Sequence, residues 1–252
     1  MQVSREHFVS DEAFAEYERG ISSFYEELVR LNMTIYMMEH ISKFPFRLFS
    51  SSDDLFFSLV MGNFLDTAIL IVSKIYSDDT RSGSHFTLLY FRRRLRELIK
   101  PEYYQELNQD LKNAKFDSAD NQKLDNVKAI RNAYVAHLTQ DFVKREFEFK
   151  PLNMSILVEL QEKLNELFGR LALKGSDHMF MMLYLPYHPD VTRPGDSRPD
   201  IERILDDIAR NSHLLNLPEQ NPQVWYWKRK RIGEEDLQIL NSYRKKFGLP
   251  EV

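Results

Sequence analysis

DDLFFSLVMGNFLDTAILIVSKIY, residues 53 to 76, decides the fold class. Its apolar residues Leu55, Phe56, Leu59, Val60, Phe64, Leu65, Ile69, Val72 and Ile75 spread around most of a helical circumference, the pattern of a helix surrounded by others. A membrane span needs about 20 mostly apolar residues. Asn63, Asp66 and Lys74 interrupt this stretch, and charge inside a bilayer is costly, so it reads as the central, buried helix of a soluble domain with no membrane contact.

The flanking sequence extends the same reading. On the N-terminal side a long helix is expected from about Asp11 to Ile41, capped by Ser10, with Asp11 and Glu12 in its first turn and Val9 placed to staple against Phe14. Tyr17, Ile21, Phe24, Leu28, Leu31 and Ile35 follow at three- and four-residue steps and give it an apolar stripe. On the C-terminal side come a helix from Phe86 to Lys100 carrying Arg92, Arg93, Arg94 and Arg96, a short helix opened by Pro101, and long helices near 119–138 and 152–173. Phe147 and Phe149 alternate with charges between the last two and suggest a short strand pair. The whole is an antiparallel all-α bundle of four to five main helices.

Composition shifts after Leu185. Pro186, Pro189, Pro194 and Pro199 mark an irregular connector, then a helix at Ile201 to His213, a break at Pro218 and Pro222, and a last helix near Glu234 to Phe247. The expected division is therefore a bundle at residues 1–185 and a helical appendage at 186–252. Only 8 glycines and 10 prolines in 252 residues favour long helices. The 34 basic and 38 acidic residues give a net charge of -4, so contact with nucleic acid by overall charge is excluded and any such contact is local. Met1 to Ser10 is polar and carries no signal-peptide pattern, which makes the cytoplasm the expected location.

Much chemistry is absent. With no cysteine there is no disulfide, thiolate nucleophile or thiolate-held metal. The glycines never cluster into a phosphate cradle, no Gly-x-Ser-x-Gly elbow occurs, and no two histidines stand four apart on a helix, so neither cofactor nor metal is expected. What remains is Ala129-Ile130-Arg131-Asn132-Ala133-Tyr134-Val135-Ala136-His137-Leu138. Requiring a polar Asn, Asp or His after the arginine cuts the chance expectation for such an arginine–histidine pair to about 0.24, and only Arg131 with His137 qualifies.

That segment resembles the signature of the HEPN superfamily. The order of two long helices, the KIYSDD turn at Lys74 to Asp79, the arginine-rich third helix and then IRNAYVAHL is similar to the abortive-infection (Abi) branch of HEPN-like proteins, over roughly Asp11 to Leu173. The resemblance implies a metal-independent endoribonuclease of phage defence or a toxin–antitoxin pair. In it the RNA 2′-hydroxyl attacks the adjacent phosphate and leaves a 2′,3′-cyclic phosphate. It further implies His137 as general acid or base, suited by an ordinary imidazole pKa of about 6.5. Arg131 would neutralise the phosphorane, Asn132 would orient the site, and a homodimer would bring two motifs face to face. An antitoxin partner belongs to the same expectation.

Helix geometry raises a separate point. Leu124, Val127, Ile130, Tyr134 and Leu138 spread over about 120° of an ideal helix, and Arg131 falls within that face. A guanidinium there needs a partner, because it cannot shed its charge. Asp66, in the narrow polar stripe of the 53–76 helix, is the candidate, with Tyr134 as a further supporting residue. On that reading Arg131 and Asp66 are a structural ion pair, and His137 is a helix-end residue favoured by the dipole.

Two basic segments stand apart. Arg92 to Arg96 reads as a solvated helix face. Trp225, Trp227, Lys228, Arg229, Lys230 and Arg231 combine stacking rings with cations, as single-strand RNA binders do, although a strap packing its tryptophans on the bundle has the same composition. The alternative to an enzyme is thus a non-catalytic HEPN-like module that binds a protein or nucleic acid.

Overall fold

The first long helix begins where its cap residue stands. In the computed structural model, which describes residues 4–49, 55–76, 87–113, 116–135, 153–172 and 200–252, α1 spans Asp11–Lys43. Ser10 Oγ accepts from the Ala13 amide at 3.2 Å, and Asp11 and Glu12 sit at the positive end of the helix dipole. The staple over this end is made by Phe8, not Val9. Phe8 is buried with its ring 5.1 Å from that of Phe14, whereas Val9 is exposed. Phe8 pairs in an antiparallel bridge with Ile99, and successive side chains on such an extended stretch point to opposite sides, which turns Phe8 inward and Val9 out.

The remaining helices are α2 (Phe46–Phe49), α3 (Leu55–Ile75), α4 (Leu88–Leu98), α5 (Tyr104–Asn113, entered by a tight turn at Pro101–Tyr103) and α6 (Ser118–Ile130). After them come α7 (Met154–Leu171), α8 (Asp200–Arg210), α9 (His213–Gln220), α10 (Pro222–Arg229) and α11 (Glu234–Lys246). Among the described residues no strand forms, so the protein is all-α. The strand pair expected around Phe147 and Phe149 lies outside the described residues.

The chain divides into two compact units, Met1–Tyr36 with Asn63–His188 and Met37–Gly62 with Pro189–Val252. The boundary expected after residue 185 lies outside the described residues. Residues 37–62, however, group with the C-terminal unit rather than with the bundle. In the first unit the whole expected stripe of α1, from Tyr17 to Ile35, is buried. Phe91 of α4 lies 6.0 Å from Tyr17 and 5.5 Å from Phe24, ring to ring, and Tyr17 donates its hydroxyl to the Ala172 carbonyl at 2.8 Å. In the second unit Phe44 and Phe49 pack on Tyr243, and Arg244 is wholly buried.

Helix α3 is central only in its second half. Ala68, Ile69, Ile71, Val72 and Ile75 are buried, but Phe56 and Leu59 are 67% and 61% exposed. By length and composition alone Phe56–Ile75 is apolar enough to cross a membrane. Apolar residues all round a helix therefore did not mean burial all round, because hydropathy reports what a side chain favours and not which neighbours reach it.

Candidate functional site

Helix α6 opens with a reciprocal cap. The Asp117 carboxylate accepts from the Asp120 amide at 2.8 Å, and the Asp120 side chain accepts from the Asp117 amide at 3.3 Å. Leu124, Val127, Ile130 and Ala133 then bury at steps of three, which leaves Arg131 at the edge of the apolar face and Asn132 exposed. At Arg131 the α-helix widens into a single π turn, Arg131–Val135. Such turns recur at functional sites because they re-aim side chains that a regular helix would fix elsewhere.

The guanidinium of Arg131 is held by its neighbour. Its Nε and Nη2 both donate to Asn132 Oδ1, at 2.9 and 2.6 Å. A neutral amide oxygen orients the fork and leaves the positive charge uncompensated. The expected ion pair with Asp66 is not formed: Asp66 makes no hydrogen bond or ion pair with a described residue, and burial alone raises its pKa. The wheel gives the direction of Arg131 and neither its depth nor which side chain of another helix it reaches. Arg131 stays partly exposed and needs no carboxylate. Tyr134 lies in the same turn by its backbone, and His137 lies outside the described residues. The structure brings Arg131 and Asn132 together and leaves Asp66 apart from them.

The aromatic–basic segment is a helix rather than a break. Pro222 occupies the first turn of α10, where its missing N–H is not needed, and Asn221 Oδ1 accepts from the Val224 amide at 3.1 Å. Trp227 is 64% and Tyr226 55% exposed, while Trp225 is partly buried. Lys230 places its ammonium 4.1 Å from the Tyr226 ring centre and 5.1 Å from that of Trp227, a cation–π arrangement. Lys228, Arg229 and Arg231 are exposed beside them. Packing of the tryptophans on the protein accounts for Trp225 and not for Trp227. Pro218, expected as a break, lies inside α9, which Ser212 caps by accepting from the Leu215 amide at 3.3 Å.

A third feature escaped the sequence. Arg92 and Arg96 of α4 line one cleft with Tyr104, Asn108 and Lys112 of α5. Its signal was available as two rows of polar residues at four-residue spacing on consecutive helices, a pattern that the reading of one arginine run as a solvated face passed over.

No family model, curated protein or solved structure gives a significant match to this chain.

Proposed function

We infer that the protein is a metal-independent endoribonuclease of the HEPN-like type, acting in phage defence or as the toxin of a toxin–antitoxin pair. The reading rests on one observation. Arg131 carries a guanidinium oriented by Asn132 and neutralised by no described carboxylate, which is what a phosphate-binding arginine requires and a structural ion pair lacks. His137 completes the motif as proton donor or acceptor, and a homodimer supplies a second motif so that one imidazole removes the 2′-hydroxyl proton while another protonates the leaving 5′-oxygen. The test is to incubate the purified chain with RNA in the presence of EDTA and analyse the new ends. Cyclic-phosphate ends that vanish in His137→Ala support the reading, and undiminished cleavage by that variant refutes it.

The exposed rings and cations of α10 favour a second reading, an RNA-binding module without cleavage. It predicts tight RNA binding by the parent chain with no new ends formed.

A further inference from the structure

The arginine run of α4 is divided among three environments. Arg94 is committed to carboxylates, with Nε 2.8 Å from Glu16 and a second bond to Glu97. Arg93 is exposed, with Nε 3.5 Å from the Leu89 carbonyl of its own helix. Arg92 and Arg96, one turn apart, face the same way into an open cleft of about 560 Å³. The opposite wall is Tyr104, Asn108 and Lys112, successive at four-residue steps along α5.

The wall is held in place before any ligand arrives. Arg92 Nε and Nη2 donate to the Leu111 carbonyl at 3.2 and 2.9 Å, one of the carbonyls that the last turn of α5 leaves without a helical partner. That bond ties α4 to α5 and fixes the guanidinium plane at the floor of the cleft. Its charge remains uncompensated. Neither Arg96 nor Lys112 forms an ion pair with a described residue, and no described carboxylate lines the cleft. Burial, and next the neighbouring Arg96 cation, push the Arg92 pKa below its ordinary value, as expected where cations converge without a counter-charge.

We propose that this cleft is a phosphate-binding site for a nucleotide, free or as a unit of an RNA strand, separate from the Arg131 motif. Three cations from two helices exceed the one or two negative charges of a single phosphate group and suit a chain of phosphates, and arginine forks match phosphate oxygens better than point charges do. The Tyr104 hydroxyl and the Asn108 amide add neutral hydrogen-bonding groups, and the volume lies within the usual range of about 300 to 1,000 Å³ for small-ligand sites. The assignment goes beyond the ribonuclease reading and stands or falls without it.

The experiment measures binding by the full chain of three probes: ATP, inorganic tripolyphosphate, and a short labelled 2′-O-methyl RNA, which lacks the hydroxyl needed for cleavage. Arg96→Ala combined with Lys112→Ala is expected to weaken binding by about tenfold or more. Arg93→Ala, which removes an adjacent cation outside the cleft, is expected to change it by less than about twofold, the mark of a site rather than diffuse charge. Thermal unfolding of each variant checks that it folds. Loss of ATP and tripolyphosphate binding in the double variant identifies a compact polyphosphate site. Loss confined to the RNA probe, with a shallower salt dependence, identifies a strand-backbone site. If the parent binds none of the three, or if Arg93→Ala weakens binding as much as the double variant, the assignment is overturned. Cleavage assays of His137→Ala report on the ribonuclease reading alone, so failure of one does not count as failure of the other.

Discussion

Asn32 and Asn165 exchange hydrogen bonds inside the apolar core of the first unit, Asn165 Nδ2 donating to Asn32 Oδ1 at 3.0 Å and Asn32 Nδ2 to Asn165 Oδ1 at 3.3 Å. Gln161 Nε2 adds a third bond to Asn32 Oδ1 at 2.6 Å. Both asparagines are buried, so the pair joins α1 to α7 at one register. Asn165→Leu removes both bonds that Asn165 makes with the buried Asn32 amide and is expected to cost about 1 to 3 kcal/mol. The double change Asn32→Leu with Asn165→Leu removes both buried amides but also takes the acceptor of Gln161, and is expected to recover part of that loss. Urea unfolding of the three proteins checks this, and a double variant less stable than the single one would show that the pair does not act as a unit.

In the second unit Arg244 is wholly buried and donates to the Pro250 carbonyl at 2.6 Å, to the Leu215 carbonyl and to the Glu219 carboxylate. The hydrogen bond from Arg244 holds the Glu219 carboxyl below the usual carboxylate range. A carboxyl whose folded pKa is depressed stabilises above its unfolded value, about 4.3, and loses that contribution as pH falls through the folded value. Glu219→Gln is therefore expected to be less stable than the parent at neutral pH. The gap should stay constant down to about pH 4.3 and narrow below it. Glu219→Ala, which also removes the accepting oxygens, is expected to cost about 1 kcal/mol, because Glu219 is exposed and Arg244 keeps the Leu215 and Pro250 carbonyls. Thermal unfolding from neutral to acid pH reads both effects, and a gap independent of pH throughout would refute the coupling.

Arg131 separates function from stability. It is partly exposed and, among the described residues, its side chain bonds only to exposed Asn132, so Arg131→Ala is expected to shift stability by no more than about 0.5 kcal/mol. An Arg131–Asp66 ion pair in the core would instead cost about 3 to 5 kcal/mol to break. On the ribonuclease reading the same variant abolishes cleavage, and its loss combines non-additively with that of His137→Ala because the two groups act as a unit. Asn132→Ala frees the guanidinium and is expected to lower cleavage while retaining some of it. Denaturant unfolding and a cleavage assay on the same preparations distinguish the cases.

Local patterns carried the fold where the cause of structure is local. The α1 stripe from Tyr17 to Ile35 buried in full, and the Ser10 cap formed as its chemistry demands. Long-range packing was not legible: nothing near Phe44 and Phe49 in sequence announces Tyr243 as their partner, so the grouping of residues 37–62 with the C-terminal unit could not be read. Prolines 218 and 222 oppose helix interiors and so suggest a break, yet Pro222 opens a helix and Pro218 costs a single bond within a short one. At the site, Arg131 and Asn132 were legible as neighbours, whereas an angle on a helical wheel does not tell whether Asp66 of another helix lies within reach.

Helix α10 presents a face that the fold does not use. Its rings and cations are exposed and its helix is capped by Asn221, so substitutions on that face should leave the fold intact. Trp227→Ala is expected to change stability by about 0.5 kcal/mol or less. If the helix stacks on RNA bases, the same change weakens binding by about 1 to 3 kcal/mol, roughly 5- to 150-fold. Lys228→Ala and Arg229→Ala should then each weaken binding across all sequences and reduce the steepness of its salt dependence by about one phosphate contact. Fluorescence anisotropy with the labelled 2′-O-methyl RNA over a range of salt concentrations measures both quantities. Affinity and salt slope unchanged in all three variants would remove α10 from the RNA interface, and the first unit would then have to supply the RNA contacts.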